Sequence, residues 1–165
     1  MCPPKTQLEL QVEVWKKIID VQQHFNEIEM KIRGLAITVV GAIFGAIGFV
    51  IKEKVTISLH GSSFPVDIAL LFVAIFSILG FWFMDRHWYH RLLIGAVKQA
   101  AELEARLEGQ IPGISLGSKI SKESAIIYFG KKIRSSDKIS LFYGGMLALA
   151  LSITMYRVHA GLGII

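Results

Sequence analysis

The sequence predicts an all-α integral membrane protein with three transmembrane helices and long cytoplasmic helices. Three runs of 18 or 19 residues are apolar almost throughout. Charged residues make up 19% of the chain, against about a quarter in a soluble domain, and the shortfall is concentrated in those runs. The segments between them carry apolar residues at helical spacing. With 165 residues there is room for one domain, which divides into an amphipathic cytoplasmic helix (1–33), two transmembrane helices with a short external loop (34–85), a cytoplasmic helical region (86–138), and a third transmembrane helix with a short external tail (139–165).

The start is polar and mixed in charge, unlike a secretory signal peptide, so internal segments are expected to direct insertion. Pro3 and Pro4 oppose an early helix, and "TQLE" at Thr6 to Glu9 reads as a capping box, in which the Thr hydroxyl and Glu carboxylate each satisfy an amide. Val14, Ile18, Val21, Phe25, Ile28 and Ile32 then form a stripe in steps of three and four. Five acids balance five bases over residues 1–33, whereas a helix lying on lipid is normally basic on its polar face. The stripe is therefore expected to pack on another protein helix.

Gly34 to Ile51 contains eighteen residues and no charge. A helix of that length covers about 27 Å, close to the ~30 Å hydrocarbon thickness. Its small residues, Gly34, Thr38, Gly41, Gly45 and Gly48, fall on one face, which lets a second helix approach closely in lipid. Lys52 to Pro65 alternates weakly and contains Gly61 and Pro65, predicting a strand-like hairpin or a loop. Val66 to Met84 is the second span, with Asp67 at its outer edge and phenylalanines expected to face lipid.

"FWFMDRHWYHRLL" follows, where Trp82, Trp88 and Tyr89 suit a headgroup layer and Arg86 and Arg91 suit phosphates. His87 and His90 stand at i, i+3, a spacing open to metal ligation, but only Asp85 stands near them as a further ligand. They read as part of an interfacial anchor, and no metal is expected. The helix should run on with Leu93, Ala96 or Val97, Ala100, Leu103 and Leu107 on one side until Gly109 and Pro112 end it. "GISLGSK" at Gly113 to Lys119 is expected to be a loop and Ser121 to Lys132 a short helix, whose Ile126, Ile127, Tyr128 and Phe129 would cap the preceding helices. Ser135 or Ser136 should start the third span, Ile139 to Tyr156, where Gly144, Ala148 and Ser152 repeat the small-residue spacing and Arg157 and His159 close the run.

Residues 86–138 hold ten Lys or Arg against five acids, which places them in the cytoplasm with the N-terminus inside and the C-terminus outside. The net charge of +5 thus belongs to membrane flanks, and nucleic acid is not an expected partner. Cys2 is the single cysteine, which excludes an intrachain disulfide and a cysteine-based zinc site. No P-loop, dinucleotide fingerprint or catalytic triad spacing occurs, so no catalytic residue and no cofactor are expected. No ionisable residue falls deep in a span, against a proton-coupled pump. A pathway enclosed by several copies would be lined by Thr38, Ser77, Ser152, Thr154 and apolar groups.

"HFNEIEMKIRGLAITVVGAIFGAIGF" and "WYHRLLIGAVKQAAELEARL" resemble small bacterial inner-membrane proteins of the RipA family. The layout is also similar to membrane effectors of phage-defence systems, SLATT-type proteins and the pore-like partner of RNA-guided RNases among them. The resemblance spans roughly residues 20–108 and implies a homo-oligomeric, octameric ring with a cytoplasmic helical vestibule. Helical RNases of defence systems place four to six residues between Arg and His, whereas Arg86 and His90 have three between them and Arg157 and His159 have one. The reading is a non-enzymatic, pore-like inner-membrane protein whose partners are its own copies and membrane lipids. The alternatives are a scaffold recruiting a soluble cytoplasmic protein and, last, a membrane-tethered RNase.

Overall fold

A computed structural model describes residues 6–59, 62–124, 126–128, 131–133 and 135–161. Cys2, Pro3, Pro4, Phe129 and Leu162 to Ile165 lie outside them. The first helix, α1 (Gln7–Lys52), is continuous for 46 residues. It starts as the capping box requires. Thr6 N–H donates to Glu9 Oε2 at 2.7 Å and Glu9 N–H donates to Thr6 Oγ1 at 3.3 Å. Because no proline interrupts the sequence between the amphipathic segment and the first apolar run, one helix carries both. It ends where Lys54 turns left-handed at φ 50°, with Val55 N–H donating back to the Val50 carbonyl at 3.1 Å.

The connector is a hairpin of β1 (Thr56–Leu59) and β2 (Ser62–Pro65), antiparallel, with Ile57 opposite Phe64 and Ser58 opposite Ser63. Next comes α2 (Val66–Phe83), followed by a π-helical turn (Met84–Tyr89) and α3 (His90–Leu107). Together they form one 42-residue rod, Val66–Leu107. Sequence periodicity gives no sign of the π turn, because one extra residue in a single turn sets no repeat to read.

Two expectations fail beyond Leu107. A helix, α4 (Leu116–Glu123), occupies part of the expected loop, entered through Gly113 at φ 90°. The expected helix over Ser121 to Lys132 is instead the end of α4 and a second hairpin, β3 (Ile126–Tyr128) and β4 (Lys131–Ile133). Ile126, Ile127 and Tyr128 are strand formers, and they pair with Ile133, Lys132 and Lys131 in turn. Ile127 is 75% exposed and therefore caps nothing within the chain. Among the described residues the fold is mostly helical (86%), as the all-α expectation has it in outline, with two small hairpins besides. The last helix is α5 (Ser135–Gly161), beginning at one of the two expected serines.

The chain divides into two units, each with its own packing. The span unit, Lys31–Asp85 with Ile139–Ile165, contains the three helical runs long and apolar enough to cross a membrane. Its core is Ala36, Val40, Ile78, Ile139, Tyr143 and Ala150, flanked by Phe44, Ile75 and Trp82. The Phe142 and Tyr143 rings meet edge to face at 4.9 Å. The other unit, Met1–Met30 with Arg86–Lys138, is amphipathic and is called the polar unit below.

Within the polar unit α1 does not bury its apolar stripe squarely. Trp15, Ile18, Ile19, Gln22 and Ile28 are half-buried and Glu29 is buried, whereas Val14 and Val21 are exposed. On α3 the expected side is used: Ala100 and Leu107 are buried, while Leu93, Ala96 and Leu103 are half-buried. Val97 remains exposed.

Thr6→Ala removes the hydroxyl of the capping box, expected to weaken the first turn by about 1 kcal/mol. Amide exchange at Glu9, followed by mass spectrometry of the detergent-solubilised protein, should rise about fivefold.

Candidate functional site

The span unit carries two buried aspartates, one at each end of the second span. Asp85 is fully buried in the π turn, and Arg33 of α1 grips it with two donors, Nε to Oδ2 at 2.7 Å and Nη2 to Oδ1 at 3.2 Å. This two-pronged geometry suits a guanidinium on a carboxylate. At the other end Asp67 is 2% exposed in the first turn of α2 and accepts a 2.6 Å bond from Nε of Arg157 on α5. An acid in a first turn and a base near a helix C-terminus each also suit the helix dipole. The second span is thereby tied to α1 at one end and to α5 at the other.

The expected packing residues all turn outward. Gly34, Thr38, Gly41, Gly45 and Gly48 are exposed, and a Cβ built on any of these four glycines meets nothing within 4 Å. The buried face of α1 is a different one, made by Ile32, Ala36, Val40 and Ile47. On α5 Gly144, Ala148 and Ser152 are likewise exposed. Gly144 borders a recess of about 240 Å³ with Ile78, Trp82, Ser140, Tyr143 and Leu147. The hydroxyls of Thr38, Ser77, Ser152 and Thr154 each donate to the carbonyl four residues earlier, at 2.8 to 3.0 Å. Their hydrogens are satisfied inside the helix, so these faces can meet lipid without an orphaned donor.

Of the expected interface residues, Trp82 is half-buried beside the span core, while Trp88 is exposed and stacks on half-buried Tyr89 at 6.2 Å. Arg86 donates to the Ser136 carbonyl within the polar unit, and Arg91 is exposed. His90 is buried with Nδ1 3.1 Å from Glu29 Oε1, and His87 is exposed. Among the described residues no three His, Cys, Asp or Glu side chains gather in a metal-ligating group.

A further buried carboxylate holds the polar unit together. Glu104, 2% exposed on α3, accepts the Gly117 N–H of α4 at 3.0 and 3.1 Å and the indole N–H of Trp15 at 3.2 Å. A Cβ on Gly117 would stand 3.2 Å from Glu104 Oε2, so glycine is what permits this approach. Beside this seam runs an open apolar groove of about 1130 Å³, bordered by Leu10, Val14, Val21 and Phe25 of α1 and Leu92 and Gly95 of α3. Its charged rim mixes Glu13 and Asp20 with Lys16, Lys17 and Arg91.

The sequence marks Arg33, Asp67 and Arg157 as charges bounding the spans and Asp85 as a neighbour of the two histidines, and it assigns no partner to any of these or to Glu29 and Glu104. A signal for two of these pairs was present. In an up–down–up arrangement the start of span one and the end of span two share a depth, as do the start of span two and the end of span three. Arg33 with Asp85 and Asp67 with Arg157 are opposite charges at those matched positions. Glu29 and Glu104 gave no comparable signal, since each looks like one more solvated charge on an amphipathic helix.

Comparison with protein-family models, with curated proteins and with solved structures finds no match to this chain.

Asp85→Leu leaves the Arg33 guanidinium against an apolar site and is expected to destabilise the protein by about 3–5 kcal/mol, while Arg33→Leu combined with Asp85→Leu recovers most of that loss. The thermal midpoint in detergent measures both. Glu104→Ala should accelerate amide exchange at Gly117 by about tenfold or more, since a charge-assisted acceptor is removed.

Proposed function

We propose that this chain is a non-enzymatic, multi-pass bacterial inner-membrane protein that associates laterally with copies of itself into a ring, acting as a pore-like membrane effector. One observation carries the reading: the small-residue face of α1 points away from the chain's own core. Only 17%, 22% and 17% of the three apolar windows are buried within the chain, so most of the span surface must meet lipid or other protein. Lipid supplies no hydrophobic force between helices, and close backbone approach across a smooth face is how such helices gain contact. The Gly34 to Gly48 face offers that approach, and the Gly144, Ala148 and Ser152 face of α5 offers another.

In this reading the N-terminus and residues 86–138 are cytoplasmic by the excess of Lys and Arg, and the C-terminus is external. The resemblance to RipA-like and phage-defence membrane proteins supports an octameric ring and a defence role. A pore lined by these spans would have few free polar groups, so it would gate by wetting and drying and discriminate weakly among ions. The open groove of the polar unit favours a second reading, a scaffold that receives an amphipathic helix of a soluble protein. The groove runs between two helices for some sixteen residues of α1, Leu10 to Phe25, and its rim carries both signs of charge.

In lipid nanodiscs the purified protein should have the mass of a multi-chain assembly, and it should release a small dye from liposomes. A monomer in nanodiscs removes the ring reading, and an assembly without dye release favours the scaffold. Gly45 is exposed and a Cβ there meets nothing within 4 Å, so Gly45→Leu should keep or raise the thermal stability of the dissociated chain, by up to about 1 kcal/mol from helix propensity, while reducing the assembled fraction several-fold. Size-exclusion chromatography with light scattering reads that change.

A further inference from the structure

The ion pair at the outer end of the span unit does more than add stability. α5 is the least apolar of the three spans. Its leading end carries Arg157, which must traverse the hydrocarbon if the helix is to cross from the cytoplasmic side. Arg157 outside also runs against the rule that keeps basic residues inside. The structure places one buried acid at the point where Arg157 arrives: Asp67, 2% exposed, at 2.6 Å. Asp67 belongs to a helix earlier in the chain, so it can already stand at the far surface when α5 inserts.

We infer that Asp67 is the receptor that brings Arg157 across, so that crossing by the third span depends on the second span being in place. Asp67 is a positioning residue in this scheme. It offers the guanidinium a buried carboxylate partner, and a negative charge in the first turn of α2 suits the helix dipole. Without it, α5 remains on the side where it starts and the chain has two spans instead of three. The inference rests on the membrane topology proposed above.

The test uses the full chain with Cys2→Ser, carrying either Ser58→Cys in the first hairpin or His159→Cys near the end of α5. Right-side-out vesicles are labelled with a membrane-impermeant maleimide. In the parent both positions should react from outside. With Asp67→Leu, position 58 should keep its outside reactivity, while position 159 loses it several-fold and becomes reactive from inside. Asp67→Leu with Arg157→Leu should restore outside labelling at 159, because no charge then needs a receptor. Full outside labelling of 159 in Asp67→Leu, or failure of the double variant to restore it, overturns the inference. If position 58 is unreactive from outside in the parent, the topology itself is wrong, and the two failures are thereby distinguished.

Discussion

An aspartate buried at the end of a membrane-length helix needs an opposite charge at its own depth, and the span unit is arranged around that requirement. The second span supplies an aspartate at each end, buried almost completely, and each neighbouring helix supplies one arginine. Apolar contacts alone would leave the three helices free to slide and rotate, since lipid tails solvate leucine as well as leucine does. A guanidinium clasped to a carboxylate fixes both depth and azimuth. The apolar core of Ala36, Val40, Ile78 and Tyr143 then fills in a geometry that the charges have already registered.

The polar unit follows the same logic with carboxylates in the middle of the seam instead of at its ends. Glu29 faces His90, and Glu104 gathers Trp15 and Gly117. Burying a carboxylate without partners would be unfavourable by several kcal/mol, so each fixes the position of the elements that satisfy it. The result is a seam set by its polar residues and displaced from the centre of the apolar stripe. That displacement is why Val14 and Val21 remain exposed and why a groove stands open beside the seam. A wholly apolar seam would have centred on the stripe and left no groove.

Much of this architecture could be read in advance because lipid imposes coarse, long-range rules. The uncharged run from Gly34 to Ile51 and the capping box at Thr6 depend on neighbours within a few residues, and both appear as expected. The hairpin over Ile126 to Ile133 was missed because the segment carries helical-looking charges at its ends, and strand preference acts only once Tyr128 pairs with Lys131. The π turn at Met84 to Tyr89 is illegible because one extra residue in a single turn of mixed charged and aromatic side chains sets no repeat to read. The small-residue face was visible as a pattern. Its outward direction was not, because that depends on which face Ala36 and Val40 claim for the core.

That direction bears on what the faces are for. Glycine in a helix interior weakens it relative to alanine by roughly 0.5–1 kcal/mol, and α1 carries four within its apolar run. Were these glycines packed against α2 or α5, the penalty would be offset inside the chain by close helix contact. A Cβ on any of the four would meet nothing within 4 Å among the described residues, so close helix contact at these positions does not offset the penalty there. Lipid chains do not repay it either, since they fill a leucine-covered surface equally well. Another helix backbone does, because its approach is limited by side-chain bulk and gains dispersion contacts with every residue that bulk is absent. The hydroxyls on these faces, already bonded within their helices, place no solvation demand on such a contact. A face that weakens its own helix and would gain contact against another helix backbone is the feature on which the proposed assembly rests.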